Sequence, residues 1–435
     1  MAMDLFFQYL ELFDDSLWTF LGFPVLIFIG FYFSIASRFV QLRRFPYAVR
    51  TFISMMAPVK EHHQGIHPLK AFFACIGGCI GIGNIVAICS AVQIGGPGAL
   101  FWVWITAVLG MMVKYSEVYL GLRYRVKNQL DSFDGGPMYF LQRVFKTMAV
   151  PVLITFLLCI YGVEVYQFRI MSKSIAINFG WNEWMVTLVL LGLVIWAGSG
   201  GVNRVGEISG AIIPAFILLY LAMGFWVIVQ HGSEIPAMVS LVFTSAFTGH
   251  AAVGGFVGST FLVAMTQGIR RGCYSSDIGI GYASVIHSET SVEIPEKQAS
   301  LTFFDIFLDS FVICTISVLI ILLTGVWNEG LHESVLVQTA LANHFPFMEY
   351  FMPLFLFLLG YSTIIAYFVV GLKCADFLSP KYGRAVYYLY AVLVLLLFSF
   401  RESYEALTLM SITQVILLFI NCYGMFRLRS EVSFE

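Results

Sequence analysis

Two apolar stretches of this 435-residue chain carry glycines at a density that an unbroken membrane helix does not tolerate: Cys75–Ile85 (CIGGCIGIGNI) and Phe247–Thr260 (FTGHAAVGGFVGST). A helix interrupted inside a bilayer frees backbone N–H and C=O groups, each costing several kcal/mol unless it lines a cavity or binds something polar. In the first stretch, the half-helix ending near Gly78 would present free carbonyls, which suit Na+ or an ammonium group. The half-helix resuming after Gly83 would present free N–H groups and the positive end of its dipole, a seat for a carboxylate. Gly249, Gly254, Gly255 and Gly258, with His250 among them, offer the same groups in the second stretch in opposed orientation. A zwitterion with amine and carboxylate on one carbon matches that pairing. The competing explanation is close helix packing through small residues of the GxxxG kind.

The elements around these breaks follow from composition. Hydrophobic residues make up 59% and charged residues 11% of the chain, which excludes a soluble domain and places it among all-α integral membrane proteins. The net charge of −2 with no basic arm or acidic tail gives no support to a nucleic-acid partner. Eight cysteines without CxxC spacing read as small buried hydrophobes, and the acidic N-terminus lacks the basic region of a cleaved signal peptide. Apolar runs long enough to span the hydrocarbon core predict eleven transmembrane helices, at 18–37, 68–92, 97–121, 148–168, 183–203, 206–230, 250–270, 303–326, 348–372, 384–400 and 405–427. With the N-terminus outside and the C-terminus inside, twenty basic residues fall on inner segments, Arg270 and Arg271 included, against three on outer ones, and this fixes the orientation. The interrupted spans are then the second and the seventh. The expected single multi-pass domain has an extra helix at 18–37 and two five-helix repeats of opposite topology, 68–230 and 250–427, with ligands near the midplane where the interrupted helices meet.

Several stretches also resemble a known family: NIVAICSAVQIGGPGALFWVWITAVLGMMVKYSEVYLGLRYR at 84–125, GGPMYFL at 135–141, QGIRRGCYSSDIGIG at 267–281 and FDIFLDSFVICTISVLIILLTGVW at 304–327. They are similar to the alanine or glycine:cation symporters, and the similarity covers nearly the whole chain. The resemblance implies a LeuT-type fold with one helix before a ten-helix core, and Na+-driven uptake of a small amino acid. On it, Gly81, Ile82, Gly83 and Asn84 match the GxGN run whose N–H groups hold the substrate carboxylate, with Gly78 and Cys79 beside it and Gln167 reaching the substrate from above. Gly77 and Ile80 carbonyls, with Leu359, Ser362 and Thr363 of the run Leu359-Gly360-Tyr361-Ser362-Thr363, would form an all-oxygen Na+ cage. Ser362 and Thr363 bonding to their own helix carbonyls is the alternative. The family commonly has Thr at the positions of Cys79 and Ile82, Gln at His250, and Asn-Glu at Ser276-Asp277. An imidazole at His250 raises proton coupling as an alternative to Na+; a neutral hydrogen-bonded stand-in for the Gln amide is the simpler reading.

Other charged residues read as structural. Lys114 and Glu117 are three apart and are expected to pair at the inner end of the third span. Glu164, Gln167 and Arg169 are placed at the outer end of the fourth span, where Glu164 and Arg169 form part of an outer gate or lie at the interface, the latter being the simpler reading for Arg169, and Arg204 with Glu207 steadies a loop. Glu61-His62-His63 and His67 form a histidine-rich patch that reads as a solvated loop rather than a metal site. No nucleophile–base or HExxH arrangement supports an enzyme, and the two dissimilar breaks do not resemble a repeated channel filter. The sequence therefore predicts a secondary transporter of alanine or glycine, L or D, coupled to Na+ and needing no organic cofactor, in a bacterial or archaeal inner membrane. A proton-coupled carrier or a non-transporting membrane amino-acid receptor is the alternative. Phe256 and Tyr361 are candidates for restricting the pocket to small side chains.

Overall fold

The computed structural model describes residues 2–56, 64–128, 132–248, 261–401 and 403–434. Gly249, His250, Gly254, Gly255, Phe256 and Gly258, together with His62 and His63, lie outside the described residues. The described chain is helical apart from a two-residue antiparallel pair, Val126–Lys127 with Phe133–Asp134. Its long helices are α1 (Phe6–Ala36), which contains a π-turn at Trp18–Gly22, the amphipathic α2 (Phe45–Met55), α3 (Pro68–Cys79) and α4 (Ala87–Gly95). There follow α5 (Ala99–Arg123), α6 (Ala149–Tyr161), α7 (Val165–Phe179), α8 (Glu183–Gly198), α9 (Gly201–Gln230) and α10 (Ile235–Thr248). The last are α11 (Phe261–Ser276), the short α12 (Tyr282–His287), α13 (Pro295–Leu323), α14 (Met348–Leu378), α15 (Gly383–Phe398) and α16 (Ser403–Arg427).

Among the described residues, seven helical segments are long and apolar enough to cross a membrane, and α3 with α4 forms an eighth that bends by 50° at its break. α8, α10 and α15 are shorter apolar helices. The expected span near 148–168 is longer than its apolar run: α6 and α7 continue to Phe179, so Glu164, Gln167 and Arg169 sit within the span and are buried, not at its outer end.

The seventh expected span begins in residues outside the described ones, and its described part runs past the expected end at 270. An interruption that faces the α3–α4 break lies between α11 and α12, where Asp277, Gly279 and Gly281 have φ of +52°, +72° and +99°. α11 packs along α4 and α12 along α3, so the two interrupted helices run antiparallel with their breaks side by side. This shift also relocates Arg270. Instead of an inner loop it occupies α11, ion-paired with Asp14 and, at 2.8 Å, with Asp15 near the start of α1. Ser411 Oγ ties the same cluster together, accepting from Arg270 Nε at 2.9 Å and Trp18 Nε1 at 2.8 Å.

The second break is held by α5. Lys114 and Glu117 do not pair with each other: the first binds the carbonyl end of α11 and the second the N–H end of α12. Lys114 Nζ donates to Ser276 O at 2.9 Å and pairs with Asp305 Oδ2 of α13 at 2.6 Å. Glu117 accepts from Gly281 N at 3.0 Å, Ser284 N at 3.1 Å and Asn421 Nδ2 at 3.2 Å. One turn of α5 thus supplies a cation to a helix C-terminus and an anion to a helix N-terminus, each the favourable sign for the dipole it meets. Their i, i+3 spacing gave the expected contact, but tertiary partners with freed backbone groups outcompete it.

Both Lys114 and Asp305 are fully shielded from solvent, so removing one leaves an uncompensated buried charge. Lys114→Met should cost about 3–5 kcal/mol in thermal unfolding in detergent, while Lys114→Met with Asp305→Leu should recover most of the loss. A single variant as stable as the parent would show that the pair is not what holds α11, α13 and α5 together.

Candidate functional site

The site grows from the residues of the first break. α3 ends at Cys79, Ile80 turns to ψ 94°, and Gly81 is extended at φ −138°, ψ −159° before one 3-10 turn, Ile82–Asn84, leads into α4. At Gly81 a Cβ would fall 2.6 Å from Gln167 Oε1 and against Thr363 Oγ1, so only glycine allows the two side chains to converge on the backbone there. At Gly78 the same position is filled by the hydroxyl of Tyr282, which donates to Ala74 O at 3.0 Å and to Cys75 O at 3.4 Å. Gly77 lies against Ser209 of α9 in the same way. Close packing and backbone chemistry, alternatives in the sequence, coexist in this segment.

The freed N–H groups meet amides. Gly81 N donates to Asn84 Oδ1 at 2.9 Å and Ile82 N to Gln167 Oε1 at 3.1 Å. Gly83 packs against the ring of Tyr274, and the Ile82 side chain packs against Gly360 of α14. Cys79 points elsewhere, its thiol 3.0 Å from Lys114 Nζ and 4.0 Å from Asp305 Oδ2, so it joins the Lys114 pair and not the Gln167 group.

The freed carbonyls meet hydroxyls. Gly77 O accepts from Ser362 Oγ at 3.2 Å and from Thr363 Oγ1 at 3.1 Å, and Ser362 Oγ also donates to Leu359 O at 2.8 Å within its own helix. Ser362 thus bonds to its own helix carbonyl, as its alternative reading expects, and also reaches across to the carbonyl of Gly77. Four oxygens from α3 and α14 therefore converge, all on residues shielded from solvent, and the Ile80 carbonyl leaves the helical ladder beside them. A set of uncharged oxygens of this kind fits a hard monovalent cation and offers nothing to a soft one.

A third cluster has no counterpart in the expected site. α13 carries a π-helical stretch, Phe307–Cys314, which turns Asp309 inward. Its carboxylate accepts from Asn84 Nδ2 and Ser276 Oγ, from Ser275 Oγ at 3.1 Å and from Ser310 Oγ at 3.0 Å. Asn84 Nδ2 also donates to Ser275 Oγ at 2.8 Å. One side chain, Asn84, thus joins the first break, the end of α11 and the π-turn of α13. On the opposite flank Glu164, itself at φ +48° between α6 and α7, accepts from Tyr274 OH at 3.3 Å, and Asp277 accepts from Tyr367 OH.

Sequence reasoning missed Asp305, Asp309, Ser275 and the interruption between α11 and α12. A signal for the break was present: Ile80-Gly81-Ile82-Gly83 recurs as Ile278-Gly279-Ile280-Gly281. No comparable pattern marks Asp309, because its direction depends on the extra residue of the π-turn.

Comparison with known proteins agrees with this architecture. Residues 3–434 match the model of the sodium:alanine symporter family. The chain is 30% identical over 407 residues to the uncharacterized transporter YflA of Bacillus subtilis, covering 91% of this chain and 85% of that one. It is 28% identical over 383 residues to the sodium/alanine symporter AgcS of Methanococcus maripaludis, covering 85% and 83%. Among solved structures, MhsT in complex with L-phenylalanine superposes with a TM-score of 0.61 at 14% identity, covering 85% of this chain and 90% of the other. That likeness shows the LeuT-type fold. A match that runs almost end to end makes this all-helical membrane protein a transporter and not an enzyme: the chain belongs to the sodium:alanine symporter family.

Proposed function

We propose that this protein carries a small neutral amino acid, alanine or glycine, into the cell together with Na+ by alternating access. The carrying observation is the α3–α4 break, whose freed carbonyl end faces the hydroxyls of Ser362 and Thr363 while its freed N–H end faces the amides of Gln167 and Asn84. In this reading the substrate carboxylate takes the N–H groups of Gly81, Ile82 and Gly83 in exchange for the amide oxygens. Gln167, released from Ile82, turns to the substrate, and Gly78 with Asn84 frames the seat. Na+ is held by Gly77 O, Ile80 O, Leu359 O, Ser362 Oγ and Thr363 Oγ1.

The Asp309 cluster supports a second cation position. A buried carboxylate ringed by Ser275, Ser276, Ser310 and the Asn84 amide has the donors of a hard-cation site. Asn84 belongs to both the substrate seat and this cluster, which gives cation and substrate a shared residue and hence a physical route to coupling. The architecture proposed for this work is eleven spans, α1 followed by two five-helix halves of opposite topology, with the N-terminus outside and the C-terminus inside a bacterial or archaeal cytoplasmic membrane. The antiparallel pairing of the two interrupted helices supports it.

Uptake of labelled alanine and glycine into proteoliposomes under an imposed Na+ gradient tests the reading. Accumulation should follow Na+ and not K+; uptake that is the same with either ion would overturn it. Ser362→Ala with Thr363→Ala removes two of five proposed oxygens and should raise the half-saturating Na+ concentration about tenfold or more, with uptake largely restored at high Na+. Asp309→Asn should abolish cooperativity in Na+ while retaining single-ion dependence, and a cooperative response in that variant would remove the second cation position.

A further inference from the structure

The amphipathic segment that follows α1 is not used by the transport reading. Residues 16–60 contain no Asp or Glu, yet they carry Arg38, Arg43, Arg44 and Arg50 within 13 positions. All four are exposed. Arg43 donates to Ser37 O at 2.9 Å and Arg38 O at 2.7 Å, closing the end of α1. Arg38, Arg44 and Arg50 have no acidic neighbour in their own segment to neutralise them. Beside them Leu42, Tyr47 and Ile53 are 58%, 45% and 58% exposed, so the outer face alternates guanidinium groups with apolar side chains. The segment follows directly on the C-terminal end of α1, a helix long and apolar enough to cross a membrane, which would put it where hydrocarbon gives way to headgroups. Basic residues mixed with apolar ones at that depth are the chemistry that anionic headgroups and their acyl chains complement.

The inner face of α2 is equally specific. Ala48, Thr51 and Met55 are buried, and Phe52 places its ring 5.1 Å from Phe72 of α3 and 5.0 Å from Phe304 of α13. Phe45 lies 5.0 Å from Phe307. α2 therefore rests on the half-helix that leads into the first break and on the helix that carries Asp309.

We propose that the segment Arg38–Met55 is a binding site for anionic phospholipid, phosphatidylglycerol in kind, and that lipid held there supports the half-helix α3 through the Phe52–Phe72–Phe304 cluster. Arg38, Arg44 and Arg50 take the phosphate, and Leu42, Tyr47 and Ile53 enter the acyl region beside it. The uptake part of the test rests on the transport reading; the exchange part does not, so the two can fail separately.

The full chain in nanodiscs of phosphatidylcholine, with and without phosphatidylglycerol, should show slower amide hydrogen exchange across residues 40–55 when the anionic lipid is present. Sodium-driven uptake should be faster in vesicles that contain it. Arg38→Gln with Arg44→Gln and Arg50→Gln should lose both responses while keeping the parent's uptake in pure phosphatidylcholine, the apparent lipid affinity falling roughly fivefold for each arginine removed. Phe52→Leu should keep the exchange response and lose the uptake response. Identical exchange in the two lipid compositions, an undiminished response in the triple variant, or protection given equally by soluble glycerol phosphate would overturn the proposal.

Discussion

A backbone group that leaves a helix inside an apolar protein must find a partner, and the arrangement of this molecule answers that constraint. Two interruptions lie side by side, and each freed end has a chosen acceptor or donor: Asn84 and Gln167 for the N–H groups of Gly81 and Ile82, Ser362 and Thr363 for Gly77 O, Lys114 for Ser276 O, and Glu117 for Gly281 N and Ser284 N. The two breaks are treated differently. At the second, full charges from α5 hold the backbone ends, and such charge-assisted contacts are strong and do not exchange readily with a ligand. At the first, neutral amides and hydroxyls hold them, and each is a partner that a carboxylate or a cation can replace at little net cost. On the proposed reading the first break is the exchangeable one and the second is the scaffold.

That division organises the rest. Asp305 neutralises Lys114 and so fixes α13 against α5, which brings the π-turn and Asp309 to Asn84. Arg270 with Asp14 and Asp15 fastens α1 to α11, and Ser411 adds α16 to the same contact. The extra helix is thereby tied to the interrupted helix whose own break is clamped, and not to α3, whose break is open to exchange. α2 touches α3 directly through Phe52 and Phe72.

Much of this was legible in the sequence where chemistry and backbone need coincide. Gly81 to Asn84 marked the first break through local residue types, whereas Ser362 and Thr363 were legible as partners of its carbonyls through the family resemblance. The run 249–258 lies outside the described residues; the interruption between α11 and α12 has the weaker glycine signal of the two, although Ile278-Gly279-Ile280-Gly281 repeats the tetrapeptide of the first break. The repeated motif marks both breaks but with different backbones: Gly81 is extended at φ −138°, whereas Gly279 and Gly281 have φ of +72° and +99°. Lys114 and Glu117 were misread for a different reason. Helical spacing brings them near each other, but their partners come from residues more than 150 positions away, and only the assembled fold supplies those. Asp309 was invisible to periodicity, since a π-turn adds a residue and rotates everything after it out of the expected face.

The central claim is that one interrupted helix binds cation and amino acid as linked ligands, and reciprocal linkage tests it most directly. Equilibrium binding of labelled alanine to the purified protein should be measured across a range of Na+ concentrations, and Na+ binding across a range of alanine. The account predicts that Na+ raises alanine affinity and that alanine raises Na+ affinity by the same factor. Alanine binding that is unchanged by Na+ would contradict it.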